Sequence, residues 1–130
     1  MQPFIFSGKV ISGQKNGRKL GFPTANLDRT PRETALKPGV YAGRCDVYFK
    51  DKSRYQNLNC LAYFGPRYIL GEKTNIFEVY IYHFDQTIYD HILEVRLLAF
   101  IRPPQDISDL NVLKKQLEKD KQQGLKLLQA

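Results

Sequence analysis

From residue 7 to about residue 101 the chain is a succession of short β-forming runs cut by turn residues, and this limits the fold most. Residues 39–49, 59–64, 76–84 and 92–101 are rich in Val, Ile, Tyr and Phe. The last run alternates, with Leu93, Val95, Leu97, Ala99 and Ile101 on one face and Glu94 and Arg96 on the other. A hairpin through Asp85-Gln86-Thr87 is expected to join the final two strands. Segment 27–38, with Asp28, Thr30, Pro31 and Pro38, reads as a loop holding one helical turn. Pro103-Pro104 stops the last strand, because proline cannot donate to a ladder. Ser108 or Asp109 can then cap a helix running to about Leu128, with Leu110, Leu113 and Leu117 as its apolar stripe and Gly124 fraying its final turn. The expectation is a mainly β fold: one domain over residues 1–130, with a small closed antiparallel barrel at about 4–102 and a C-terminal helix at about 108–128 packed outside.

A chain of 130 residues can bury a core without staples, and 42% hydrophobic with 25% charged residues argues for a globular domain over disorder. No apolar run approaches the ~20 residues needed to span a bilayer, and the start lacks the pattern of a signal peptide. A cytoplasmic protein without membrane association is expected. Cys45 and Cys60 lack the close pairing of a structural zinc site, and read as buried free thiols in strands. The net charge of +7 calls for a polyanionic partner. The densest cationic group, Lys114, Lys115, Lys119, Lys121 and Lys126, alternates with leucines as a solvated helix face does, so no nucleic acid is expected. A triphosphate substrate accounts for the positive balance with fewer assumptions.

Four of the nine glycines fall within residues 8–26, a stretch closing on Pro23-Thr24-Ala25-Asn26. Glycine lets backbone N–H groups approach a ligand closely, and phosphate oxygens are the usual ligand of such a surface. Arg18 and Lys19 add cations, and Thr24 and Asn26 offer neutral oxygens suited to a hard divalent ion. Together these indicate a nucleotide-triphosphate site, although the P-loop pattern is absent. Glycine spacing alone would favour a solvent-exposed hairpin.

The ordered string G-R-K-L-G-F-P-T-A-N closely resembles the signature of riboflavin kinases, in which a glycine loop precedes L-G-[FIY]-P-T-A-N. That resemblance implies Gly13 and Arg18 at the nucleotide, and Thr24 and Asn26 at both nucleotide and Mg²⁺, with Zn²⁺ or Mn²⁺ as alternative metals. It also implies a six-stranded Greek-key barrel with a C-terminal helix. Glu78, Tyr89 and then Arg102-Pro103 follow the family order E-x-H, D-x-Y-G and L-R-P. Taken alone, Glu78 reads as an edge-strand carboxylate; the resemblance makes it the catalytic base. Ile81, His83 and Tyr89 would lie along the nucleotide, and Arg102, Gln105 and Ile107 along the flavin. Period-two counting sets Glu78 and His83 on opposite faces unless a bulge intervenes. The likeness runs from Phe4 to about Lys121 and includes Gln116 and Asp120 of a Q-L-x-x-D string. It departs at Tyr80, where the family has His, at Asp90, where it has Gly, and at Gly65-Pro66-Arg67-Tyr68, which only loosely follows G-x-[RN]-P-[TY].

The expected activity is ATP-dependent phosphorylation of the riboflavin 5′-hydroxyl to give FMN and ADP. A separate or formerly fused FMN adenylyltransferase is an expected partner, since bacterial relatives carry one on the same chain. Two rivals are a flavin-binding module without turnover and a small-barrel nucleic-acid binder. The first has no need of a base such as Glu78, and the second rests only on charge, barrel shape and 12% aromatic content.

Overall fold

The structure is a computed structural model that describes residues 2–12 and 24–129. Strands β1 (Phe4–Ile11), β2 (Ala25–Leu27), β3 (Gly39–Tyr48), β4 (Arg54–Pro66), β5 (Asn75–Ile81) and β6 (Ile92–Arg102) close a barrel in the order β1-β2-β5-β4-β3-β6, and α1 (Leu110–Gln129) follows. Consecutive strands β3, β4 and β5 pair antiparallel and β6 returns beside β3, which is a Greek key. Closure leaves no unpaired edge among them.

Alternation along the strands sorts side chains into two clusters. Phe6, Val10, Tyr41, Cys45, Phe64, Phe77, Val79, Leu93, Val95 and Leu97 point inward and are buried. Ala42, Leu61 and Tyr82 point outward and are covered by α1 through Leu128. Cys45 and Cys60 are buried free thiols inside the barrel. The Cys60 thiol is pushed well up in pKa by its hydrogen bond with Cys45 and by burial.

Four sequence expectations change. The hairpin between the last two strands does not form: β5 lies between β2 and β4, whereas β6 lies between β1 and β3. Strand β5 ends at Ile81, His83 turns the chain with φ 54°, and residues 82–91 dock on β1 through Val10 N–H to His91 O (2.9 Å) and Asp90 N–H to Val10 O (2.8 Å). The alternation of β6 also breaks. Register against β3 skips Leu98 and Ile101, so two bulges set Ala99 and Ile101 under the helix while Phe100 meets Tyr41 inside at 5.2 Å. The run expected at 59–64 is the inner half of a longer strand whose outer half, Arg54 to Asn57, is polar and exposed.

The helix differs in its buried face. Asp109 caps it, Oδ1 accepting from Asn111 N–H at 2.8 Å and Val112 N–H at 3.1 Å. Leu110 is exposed, and the buried positions are Asp120, Gly124 and Leu128, one turn apart. Gly124 is therefore a contact point and not a frayed end: a Cβ there would lie 2.5 Å from Leu61 Cδ2 and 2.6 Å from Tyr82 Oη. The Tyr82 hydroxyl donates to Lys121 O at 2.7 Å across the same gap. Lys114, Lys115, Lys119 and Lys126 face solvent, as a solvated helix face requires. In segment 27–38 a single turn forms, closed by Leu36 N–H to Arg32 O at 3.0 Å.

Candidate functional site

Thr24 and Asn26 lie at and on β2, not in a surface loop. Strand β2 pairs with β5 so that Asn26 stands directly opposite Glu78, and Glu78 in turn stands opposite Tyr63 of β4. Paired residues of an antiparallel ladder share a face. This register alone sets Asn26, Glu78 and Tyr63 side by side on the outer surface of the barrel, with Thr24 diagonal to Glu78. Thr24 Oγ1 donates to Glu78 Oε2 at 3.1 Å, and Asn26 Oδ1 accepts from Arg67 Nη2 at 2.5 Å. Asn26 is buried.

Glu78 opens on a cavity of about 150 Å³ between the barrel wall and the start of α1. Leu61, Ile69, Ile107, Leu113 and Leu117 make its apolar lining, and Thr24, Tyr63, Arg67, Arg102, Gln105 and Asp120 its polar one. All three residues expected on the flavin side thus meet Glu78 in one space. Burial raises the Glu78 pKa above that of an exposed glutamate, against the pull of Arg67 and the Thr24 hydroxyl, which makes it a stronger base. The Tyr63 phenol is likewise pushed up, first by burial and then by the Glu78 carboxylate, and it donates to Pro66 O at 2.5 Å.

Arg102 is held in place by a side chain of α1. Its Nε and Nη2 donate to the two carboxylate oxygens of buried Asp120 at 2.9 and 2.8 Å, and Gln116 Nε2 donates to Asp120 Oδ1 at 3.0 Å. The Q-L-x-x-D string therefore supplies the clamp that holds the last barrel strand to the helix.

A second cavity, of about 270 Å³, lies on the other side of Thr24 and is lined by Val10, Ala25, Ile81, Phe84, Ile88 and Tyr89. Thr24 borders both spaces. Ile81 and Tyr89 thus share one cavity with Thr24, and Arg102, Gln105 and Ile107, the residues expected on the flavin side, share the other. His83 is exposed and borders neither cavity. Gly13 and Arg18 lie outside the described residues. Asp90 takes φ 69°, the left-handed conformation that glycine adopts freely and aspartate tolerates, so an aspartate can stand where the family has glycine.

Among the described residues no three His, Cys, Asp or Glu side chains converge as a metal cage. The neutral oxygens of Thr24 and Asn26 beside the Glu78 carboxylate are a hard donor set that fits a magnesium ion keeping several of its waters. Sequence reasoning singled out neither Tyr63 nor Leu61 and gave Arg67 and Asp120 no role. Of these, Asp120 had a visible signal as a carboxylate at the i+3 position from Leu117 on the apolar stripe, and Arg67 stood in the string that loosely follows G-x-[RN]-P-[TY].

The family model Flavokinase, described as riboflavin kinase, matches residues 1–128. A bifunctional riboflavin kinase/FMN adenylyltransferase of Buchnera aphidicola is 37% identical over 119 residues, covering 92% of this chain and 37% of the relative. One of the same description from Bacillus subtilis is 30% identical over 125 residues, covering 96% of this chain and 39% of the relative. The chain thus spans well under half the length of these relatives. A crystal structure of riboflavin kinase from Trypanosoma brucei superposes with a TM-score of 0.75 at 26% identity, covering 99% of this chain and 79% of that one.

Proposed function

Because the chain belongs to the riboflavin kinase family, we propose that it transfers the γ-phosphoryl group of ATP to the 5′-hydroxyl of riboflavin, releasing FMN and ADP. The observation that carries this reading is the position of Thr24, shared by two cavities and hydrogen-bonded to Glu78 in one of them. Phosphoryl transfer asks the protein mainly for positioning and charge neutralisation, with an acceptor for the hydroxyl proton. The apolar cavity with Arg102, Gln105 and Ile107 takes the flavin, and the ribityl chain runs toward Glu78. The cavity with Ile81 and Tyr89 takes the nucleotide, and its phosphates reach Thr24.

Glu78 accepts the 5′-hydroxyl proton, its basicity raised by burial. Thr24 and Asn26 would hold Mg²⁺, which supplies charge neutralisation of the phosphates when bound. The resemblance to the family's glycine loop supports a nucleotide-binding role for Gly13 and Arg18. The product is the substrate of an FMN adenylyltransferase, whether fused or separate, which the bifunctional descriptions of the relatives support. Incubation with ATP, Mg²⁺ and riboflavin, followed by chromatography, should yield FMN and ADP in equal amounts. A protein that binds riboflavin but forms neither product would be a binding module.

A further inference from the structure

Among the described residues Arg67 is a cation hydrogen-bonded directly to a candidate metal ligand, and no step above uses it. Its backbone is anchored where β4 ends and the turn Tyr68–Leu70 begins, with Arg67 O accepting from Leu70 N–H at 3.0 Å and Glu72 N–H at 3.3 Å. Its side chain is mostly buried, at 15% exposure, and reaches across to β2. There Nη2 donates to Asn26 Oδ1 at 2.5 Å, while Nη1 meets Glu72 Oε2 at 3.4 Å. Arg67 also borders two spaces: the cavity that holds Glu78, and a hollow on the far side lined by Ser12, Asn26, Arg29, Glu72 and Asn75. The guanidinium therefore has room to move without unseating its backbone.

The oxygen it occupies is the one assigned to the metal. A guanidinium and a divalent ion on one amide oxygen would stand a few ångströms apart, and like charges repel strongly at that range where water is thin. We propose that Arg67 is a cationic stand-in at Asn26, a positioning residue that holds the amide oxygen in the nucleotide-free protein and must release it when the metal–nucleotide complex enters. Release and metal entry are one exchange, in which Glu72 retains the displaced arginine. The pairing keeps the Asn26 oxygen aimed and satisfied between turnovers, and it makes the site resist free metal. This inference rests on the kinase reading of the site.

Manganese with ADP is the probe, followed by electron paramagnetic resonance. Arg67→Met keeps the length and loses the charge, so it should bind Mn²⁺–ADP about tenfold more tightly than the wild type, the scale of one charge-assisted hydrogen bond no longer to be broken. The Mg²⁺ concentration for half-maximal FMN formation should fall in parallel. Arg67→Lys restores the cation and should return both values toward wild type. Equal or weaker Mn²⁺–ADP binding by Arg67→Met would overturn the proposal. A second readout needs no variant: in the wild-type protein the Arg67 guanidinium ¹⁵N–H signals should shift in step with the Asn26 carboxamide on adding Mg-ADP, and fixed Arg67 signals would refute the exchange. If the wild type makes FMN while these readouts fail, only the role of Arg67 falls. If it makes no FMN and binds no Mn²⁺–ADP, the kinase reading falls and this inference with it.

Discussion

Glu78 shows how one residue's character is set by its neighbours. In sequence it is a lone carboxylate between aromatic and aliphatic residues; in the barrel it faces Asn26 and Tyr63 and accepts from Thr24. Glu78→Gln keeps the size and hydrogen-bonding reach but removes the basic oxygen. Positioned general bases contribute about 10²–10⁴-fold, so FMN formation should fall at least about a hundredfold, with riboflavin and Mg-ATP binding largely kept. Near-wild-type turnover would leave Glu78 a structural carboxylate of the barrel wall, with another group or water taking the proton. A second residue-scale prediction concerns Asp46, whose Oδ1 accepts from Asn57 N–H at 2.9 Å and Arg96 Nη2 at 3.1 Å. Burial alone would raise its pKa, but these hydrogen bonds and the charge of Arg96 outweigh burial and hold it below the usual value. A carboxyl depressed by folding adds stability above its unfolded pKa of about 4 and loses it as pH falls through the folded value. Asp46→Asn should therefore cost about 1–2 kcal/mol in urea unfolding at pH 7 and progressively less in acid. An equal cost at both pH values would assign the effect to packing.

At the scale of elements, the joint between α1 and the barrel is the informative one. An exposed helical glycine changed to alanine gains up to about 1 kcal/mol in propensity. At Gly124 the added methyl would press on Leu61 and on the Tyr82 hydroxyl that bonds Lys121 O, and overpacking costs about 1–3 kcal/mol. Packing should win, so Gly124→Ala should lower the thermal midpoint; a rise would mean that Leu61 yields into the adjoining cavity. Sequence pattern marked this helix, its Asp109 cap and its lysine face, but misplaced its buried stripe. The misplacement has a cause: the partner surface is shaped by the bulges of β6, and a bulge leaves no periodic trace in a run of apolar residues. The hairpin expected after β5 failed for a related reason. Turn residues at 85–87 signal a reversal, but the docking of residues 82–91 on β1 decides which strand comes next.

For the molecule as a whole, two cavities meeting at Thr24 imply that the ligands are felt together. Riboflavin and Mg-ADP added jointly should raise the thermal midpoint by more than the sum of their separate shifts, because each orders residues that the other contacts. Strictly additive shifts would indicate independent sites. The described residues contain no helix long and apolar enough to cross a membrane.

The sequence by itself determined what is local. The β-forming runs, the proline stop and the capped helix follow from side-chain chemistry and chain stiffness over a few residues. Much of the candidate site was readable for the same reason: Thr24 and Asn26 sit in one short string, and Arg102, Gln105 and Ile107 in another. Only the tertiary structure decided how these strings face each other. The pairing of Asn26 with Glu78, the Arg67 guanidinium on the Asn26 oxygen, the Asp120 clamp on Arg102 and the close approach at Gly124 join residues far apart in the chain. Such contacts depend on strand register and barrel closure, which are settled by the packing of the whole core and by no single segment.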